Sequence, residues 1–210
     1  MLAAPIGSSV AATTVDSGGL AFGSASPLEI SSSAIVGRSV KLRVASVAVP
    51  GAQLTVDTRL PGGVWVETVT ATTAPDGVFE ATWVPQQVGR FELRVRSAAV
   101  AIASESTPPA DFGQTSFTVY RLQRASWYGP GFFGHRTACG QKLTRRLVGV
   151  AHRKLPCGTK IAISYRGKTL ETVVVDQGPF VRGVSWDLTQ ATAQALGISS
   201  TTSIGVVDLP

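Results

Sequence analysis

The sequence predicts an all-β chain that is divided into two domains. Glycine (22) and proline (12) are frequent among the 210 residues, and short segments of alternating apolar and polar residues recur between turn signals. Charge is unevenly distributed. Residues 1–120 hold 7 basic and 9 acidic side chains, a net charge of −2, whereas residues 121–210 hold 12 basic and 4 acidic, a net charge of +8. This asymmetry indicates a second domain that faces an anionic partner.

Residues 1–26 are rich in serine, glycine, alanine and threonine without a period, which predicts a flexible N-terminal segment. No basic region and no apolar stretch of signal-peptide length follows Met1, so we expect no leader within this chain. The longest apolar runs are far shorter than the ~20 residues that cross a bilayer, and we expect no membrane span.

Residues 27–120 contain six alternating segments between turns such as Pro61-Gly62-Gly63 and Pro75-Asp76-Gly77. Strands are predicted at Ser39–Val44, Leu54–Asp57, Val64–Val69, Val78–Trp83, Phe91–Val95 and Ser116–Tyr120. Short strands at this spacing are typical of a β-sandwich. The stretch from Asp76 to Arg96 resembles bacterial immunoglobulin-like modules. The resemblance implies an immunoglobulin-like β-sandwich that acts as a spacer or contacts a protein of the cell envelope.

Residues 121–210 predict a small β-barrel with one short helix. Strands are predicted at Ala125–Tyr128, Leu147–Ala151, Lys160–Tyr165, Thr169–Val175 and Ile204–Leu209. Arg166-Gly167-Lys168 is typical of a hairpin turn. The helix is predicted over Leu188–Leu196, with Asp187 as its N-cap, Gln190 completing a capping box and Gly197 just past its end.

Both cysteines, Cys139 and Cys157, lie in the basic half. They are compatible with one disulfide, with two buried thiols or, together with His135 and His152, with a zinc site. No C-x2-C pair is present, so we expect no metal. Gly129–Gly134 matches G-x-G-x-x-G, but no helix pattern follows it and no acidic residue lies ~20 positions on, so we expect no nucleotide cofactor.

A long, ordered set of motifs runs through residues 124–209. The motifs are Ala125-Ser126-Trp127-Tyr128-Gly129, Thr137-Ala138-Cys139-Gly140, Ala151-His152-Arg153-Lys154-Leu155-Pro156-Cys157-Gly158-Thr159, Val175-Asp176-Gln177-Gly178-Pro179-Phe180 and Trp186-Asp187-Leu188-Thr189. This set resembles the RlpA-like double-psi β-barrel of septal-ring lytic transglycosylases, and it is more distantly similar to expansins. The resemblance implies a six-stranded double-psi β-barrel over residues 121–210 that acts on peptidoglycan in a secreted or envelope-associated protein.

The resemblance implies that Asp176 is the general acid and that His152 supports it. A lytic transglycosylase cleaves the MurNAc–GlcNAc β-1,4 bond without water: the acid protonates the glycosidic oxygen, and the C6 hydroxyl attacks C1 to leave a 1,6-anhydro product. One carboxyl group therefore suffices, unlike the pair in most glycosidases. From the residues alone, Asp176 fits a turn residue that bonds its own backbone, and His152 fits a buried histidine that bonds a carbonyl group.

Two further positions bear on activity. Asp187 matches an expansin aspartate and would be a second acidic group in the groove, but the helix N-cap explains it fully, and we favour the cap. Gln141 stands where the transglycosylases carry a glutamate, and an amide cannot transfer a proton. Gln141 therefore favours the alternative of a non-catalytic, expansin-like module that binds glycan or loosens the wall.

The resemblance also implies substrate-binding residues and a disulfide. Candidate glycan contacts are Thr137, Gln141, Tyr128, Phe180, Arg182 and Asp187, since aromatic faces pack on sugars and arginine pairs with carboxylates. Cys139 and Cys157 fall in two loops that this fold brings together, which implies that they are bonded. A nucleic-acid partner is not expected, because no recognition helix or stacking motif accompanies the basic charge.

Overall fold

The structure is a computed structural model, and it describes residues 28–29, 33–44, 50–97 and 111–210. The flexible segment predicted over residues 1–26 lies outside the described residues. Within the described ranges, no helix is both long enough and apolar enough to cross a membrane.

The regular structure of the described residues consists of β-strands and a single short helix near the end of the chain. The elements are β1 (Leu28–Glu29), β2 (Ser33–Ile35), β3 (Val40–Val44), β4 (Gln53–Arg59), β5 (Val66–Thr72), β6 (Phe79–Trp83), β7 (Gly89–Ser97), β8 (Asp111–Tyr128), β9 (Val150–His152), β10 (Lys160–Tyr165), β11 (Lys168–Asp176), β12 (Trp186–Thr189), α1 (Gln190–Leu196) and β13 (Thr202–Asp208).

The N-terminal half consists of two sheets that share one core. One sheet has the order β1-β3-β6, and the other runs β5-β4-β7-β8 with β2 beside β8. The alternation of apolar and charged residues in strand β3 explains this packing. Val40, Leu42 and Val44 are buried, while Lys41 and Arg43 between them are exposed. Apolar residues from both sheets form the core: Val40, Leu42, Val44, Leu54, Val56, Phe79, Phe91, Leu93, Val95, Phe117 and Val119.

All six strands predicted for this half overlap observed strands. The two-sheet packing agrees with a sandwich in outline, and the immunoglobulin-like assignment stays a prediction.

Strand β8 runs through both halves of the molecule and joins their sheets. Residues 114–119 pair with β7, residues 121–125 pair with β13, and residues 125–128 pair with β12. The predicted boundary between residues 120 and 121 therefore falls inside a strand. Arg90 also forms an ion pair with Glu171 of the C-terminal half, and buried Tyr120 packs with Ala162 and Val207.

The C-terminal half is a closed six-stranded barrel. The strand order is β12-β9-β11-β10-β13-β8, and β12 also pairs with β8, which closes the ring. The hairpin falls at the predicted place: Tyr165 pairs with Lys168 across Arg166-Gly167, and both loop residues have positive φ (47° and 79°), as a type I′ turn requires.

The helix begins later than the sequence predicts. Helix α1 starts at Gln190, Thr189 is its N-cap, and Gly197 (φ 76°) ends it as predicted. The prediction that Asp187 caps the helix is wrong. Residues 186–189 are paired with β8, and residues 186–188 also pair with β9, so strand pairing keeps Asp187 and Leu188 extended.

Candidate functional site

A groove lies on the barrel, between the long loop that follows β8 and the turn that follows β11. The loop side contributes Phe132, His135, Arg136, Thr137 and Leu143, together with Tyr128 at the end of β8. The opposite side contributes Asp176, Gln177, Gly178, Pro179, Phe180 and Val181, and Ala151 and Asp187 complete the lining.

Two carboxyl groups reach this groove from strands on either side of β9. Ala151 of β9 is the register partner of Asp176 in β11 and also of Asp187 in β12. Side chains at matched register positions point to the same face of a sheet. The register therefore explains why Asp176 and Asp187, eleven positions apart in the sequence, line one groove.

Asp176 is held by three hydrogen-bond donors. Its Oδ1 accepts from the backbone N–H groups of Ala138 (2.7 Å) and Gln177 (2.9 Å), and its Oδ2 accepts from the Tyr128 hydroxyl (3.1 Å). Burial raises the pKa of Tyr128, and the nearby carboxylates of Asp176 and Asp187 raise it further. Tyr128 therefore stays protonated and remains available as a donor to Asp176.

Asp187 is half-buried in the groove and accepts one hydrogen bond, from the Ser126 hydroxyl (2.9 Å) to its Oδ1. Burial raises the pKa of Asp187, the charge of Asp176 adds to this, and the hydrogen bond from Ser126 opposes it. The net effect is a carboxyl group that keeps its proton to a higher pH than an ordinary aspartate. The sequence analysis favoured a role for Asp187 as a helix N-cap, whereas the strand register places it in the groove.

His152 lies outside the residues that line the groove. Its Nδ1 accepts from the backbone N–H groups of Leu155 (3.0 Å) and Lys154 (3.3 Å), and its ring packs on Trp186 with centroids 4.3 Å apart. Burial lowers the pKa of His152, and the charges of Arg153 and Lys154 lower it further.

His152 and Asp176 form no hydrogen bond with each other among the described contacts. Strand alternation is the reason: Ala151 faces the groove, so its neighbour His152 points to the opposite side of β9. His152 therefore makes no hydrogen bond to either carboxyl group that would explain its predicted supporting role.

Thr137 and Gln141 form a tight turn at the edge of the groove. The Thr137 N–H donates to the Gln141 carbonyl (2.8 Å), and the Thr137 hydroxyl donates to Gln141 Oε1 (3.0 Å). Thr137 is buried and lines the groove, whereas Gln141 is exposed and lies outside the lining. The amide of Gln141 is therefore used inside the turn.

The rim of the groove carries exposed apolar side chains. Phe180 is 82% exposed, Val181 63% and Phe132 59%, and Phe132 meets the ring of Tyr128 edge-on. Exposed aromatic faces beside a polar floor suit a ligand with both apolar and hydroxyl surfaces, such as a sugar. The predicted contact Arg182 is exposed and follows Val181, but it does not line the groove.

The sequence did not single out Val181, Ala151 or Leu143 as groove residues, and it considered His135 only as a zinc ligand. All four line the groove. Strand alternation could have pointed to Ala151, because neighbouring residues of a strand face opposite sides. Either Ala151 or His152 can therefore face the groove, but not both.

The predicted disulfide between Cys139 and Cys157 is present, with Cα atoms 5.6 Å apart. Neither sulfur is therefore a thiolate that could bind zinc. In the described ranges, no cluster of three or more histidine, cysteine, aspartate or glutamate side chains is arranged to hold a metal ion.

Known proteins resemble the C-terminal half of the chain. Residues 122–208 match the family model described as lytic transglycolase. A probable endolytic peptidoglycan transglycosylase RlpA of Synechocystis sp. is 42% identical over 78 residues, which are 36% of this chain and 24% of the relative. A protein of the same description from Aquifex aeolicus is 42% identical over 76 residues, 35% of this chain and 34% of the relative.

An endolytic peptidoglycan transglycosylase RlpA from Rickettsia felis is 36% identical over 81 residues, 36% of this chain and 36% of the relative. The chain thus spans about a quarter to a third of the length of these relatives. Residues 122–208, which include most of the barrel, are therefore similar to the lytic transglycolase family and to RlpA proteins.

Proposed function

We propose that the barrel is a lytic transglycosylase that cleaves the MurNAc–GlcNAc β-1,4 bond of peptidoglycan and leaves 1,6-anhydro ends. The observation that carries the proposal is the pair of carboxyl groups, Asp176 and Asp187, in an open groove with an aromatic rim. The match of residues 122–208 to the lytic transglycolase family supports the same reaction.

Asp176 is the proposed general acid. Both backbone donors bind its Oδ1, so Oδ2 is the oxygen that can carry the proton. The partner of Oδ2 is the Tyr128 hydroxyl, which can rotate to accept a hydrogen bond as well as donate one. A protonated Oδ2 is therefore tolerated at this position and can deliver its proton to a glycosidic oxygen.

The reaction closes without water. The proton of Asp176 passes to the glycosidic oxygen as the bond to C1 breaks, and the C6 hydroxyl of the same sugar attacks C1. The carboxylate of Asp176 then accepts the proton that the C6 hydroxyl releases, which restores the acid. Because the pKa of Asp187 is raised, this carboxyl group takes up a proton more readily than an ordinary aspartate, which lessens charge repulsion while Asp176 is ionised.

Glycan binding is assigned to the remaining groove residues. Phe180 and Phe132 offer exposed faces to sugar rings, and Thr137 offers a hydroxyl group. Arg136 in the lining and Arg182 beside the rim place positive charge near the carboxylates of the wall polymer. We assign Gln141 to the shape of its turn, and we drop His152 from the catalytic step.

The same proposal places the protein in the cell envelope, where its substrate is. The N-terminal half, as an immunoglobulin-like module, would space the barrel from its attachment or contact an envelope protein.

A second candidate function is a non-catalytic, expansin-like module that binds the same glycan. Two points favour it: Gln141 stands where the resemblance implies a glutamate, and His152 is turned away from the groove. In this case Asp176 and Asp187 are ligand contacts.

The deciding experiment is mass spectrometry of the soluble products formed from purified peptidoglycan, intact and stripped of stem peptides. Asp176→Asn and Asp187→Asn are compared with Asp208→Asn, a matched control in which the same change is made at an exposed position outside the groove. We expect anhydro-muramyl ends with the wild type and Asp208→Asn, and none with Asp176→Asn.

Loss of product with Asp187→Asn alone would move the general acid to Asp187. Absence of product with the wild type, together with co-sedimentation on the same glycan, would refute the enzyme and support the binding module.

A further inference from the structure

We infer that the Cys139–Cys157 disulfide is a redox-sensitive positioning element for Asp176. When the disulfide is intact, it holds the Ala138 N–H on the carboxylate of Asp176. When a thiol reduces the disulfide, that donor is released. The effect on turnover rests on the proposed function, whereas the effect on the hydrogen bond does not.

The turn formed by residues 137–141 is held at its base by the antiparallel bridge between Arg136 and Lys142, and the Arg136 guanidinium donates to the Gly140 carbonyl (2.8 Å). Its hydrogen bonds from Thr137 N–H to Gln141 and from Gly140 N–H to Thr137 close the turn on itself. The bond that leaves it toward β11 is the one from Ala138 N–H to Asp176, at 2.7 Å. Cys139 Sγ also lies 3.8 Å from the Val174 carbonyl, which is a weak contact.

The other end of the bridge is fixed to the strand that carries Asp176. Cys157 precedes Gly158, whose N–H donates to the Val174 carbonyl (2.8 Å), and the Val174 N–H donates to the Thr159 carbonyl (2.9 Å). Val174 lies two residues before Asp176 in β11. The disulfide therefore ties the 137–141 turn to the same strand, next to the carboxyl group that Ala138 contacts.

The bridge is open to attack from solvent, since Cys157 is exposed and Cys139 is half-buried. A dithiol reductant supplies two electrons and two protons: its thiolate attacks one sulfur, the Cys139–Cys157 bond breaks, and the reductant leaves as a disulfide while both cysteines become thiols. Three residues of the turn, Ala138, Gly140 and Gln141, are exposed. After reduction, the turn no longer has a covalent link to Cys157.

Reduction should thus weaken the hydrogen bond at Asp176 and loosen the groove wall at Thr137. A hydrogen bond to a charged group is worth enough to change a rate by about tenfold or more when it is lost. We expect a fall in turnover of that size in a barrel that stays folded.

The test measures amide hydrogen exchange by NMR on the full chain, oxidised and after reduction with dithiothreitol. We expect exchange at Ala138 to speed up by about tenfold or more, while the core amides of Ile163 and Leu188 keep their protection. The Cys139→Ser/Cys157→Ser variant should match the reduced wild type and should not respond to reductant. Product release from peptidoglycan is measured on the same samples.

Unchanged exchange at Ala138 after reduction would overturn the inference. So would a loss of protection at Ile163 and Leu188, because the bridge would then support the whole barrel and not the turn. In an active enzyme, faster exchange at Ala138 with unchanged turnover would also overturn it. An inactive oxidised wild type would refute the proposed function alone, because the exchange measurement needs no substrate.

Discussion

A single methyl group at Gly149 should displace the strand that carries Asp176. A Cβ atom built on Gly149 would lie 2.4 Å and 2.6 Å from the two Cγ atoms of Val175 and 3.0 Å from its Cβ. Ordinary contacts begin at 3.4 Å. Gly149→Ala therefore requires the segments that contain Gly149 and Val175 to separate by about 1 Å in a close-packed interior.

Gly149 is not free to make that movement. Its N–H donates to the Thr192 hydroxyl (2.9 Å), and its carbonyl accepts from the same hydroxyl (2.8 Å) and from the Thr189 N–H (3.1 Å). Val175, which is 2% exposed and precedes Asp176, must therefore give way. We expect a loss of about 1–3 kcal/mol in the free energy of unfolding, and a fall in turnover of up to about 100-fold from the misplaced carboxyl group.

The assay is urea unfolding of the wild type, Gly149→Ala, Val175→Ala and the double variant. Val175→Ala removes both of the closest Cγ atoms, and by itself it should cost about 2 kcal/mol for two buried methyl groups. In the double variant the new methyl group fills part of that space. The double variant should therefore be more stable than the sum of the single effects predicts, by about 1 kcal/mol or more.

Additive effects would refute this reasoning, since they would mean that Gly149 and Val175 do not compete for the same space. A Gly149→Ala protein with wild-type stability and turnover would do the same.

Three further outcomes are expected. Burial alone would raise the pKa of Asp57, but hydrogen bonds from two arginines of β7 outweigh it and lower the pKa below the ordinary 3.8. Asp57 should therefore stabilise the protein above pH 3.8 and lose this contribution as the pH falls through the lower folded pKa. Urea unfolding at several pH values should show this loss in the free energy of unfolding, and Asp57→Asn should flatten the pH dependence. Tyr128→Phe keeps the ring but removes the donor to Asp176, so product release from peptidoglycan should slow by about tenfold, and an unchanged rate would contradict the assigned contact. Thr189→Ala removes the N-cap of α1 and should lower the urea midpoint by an amount worth about 1–2 kcal/mol, whereas Thr189→Ser should retain most of it.

The local structure of the barrel could be read from the sequence because its signals do not compete. Lys160–Tyr165 forms a strand with the predicted bounds, since alternation before it and Arg166-Gly167 after it point to the same hairpin. The disulfide was implied by the resemblance, which brings the loops of Cys139 and Cys157 together. The strand and its hairpin needed no information from a distant part of the chain.

Local patterns do not decide the outcome where two nearby residues compete for one position and a distant strand decides between them. Asp187 and Thr189 are both good N-cap residues, and only pairing with β8 and β9 shows that the chain is still extended at Asp187. In the same way, a motif that contains His152 does not show that Ala151 is the residue that faces the groove. Tertiary pairing sets both outcomes, and local sequence patterns do not encode it.

The continuity of β8 has a mechanical consequence. Its 18 residues at ~3.3 Å per residue form an arm of roughly 60 Å that contains no loop between the two halves. Such an arm cannot bend at the junction without breaking ladder hydrogen bonds on both of its sides. A surface that held the N-terminal half would therefore also set the direction in which the groove of the barrel faces.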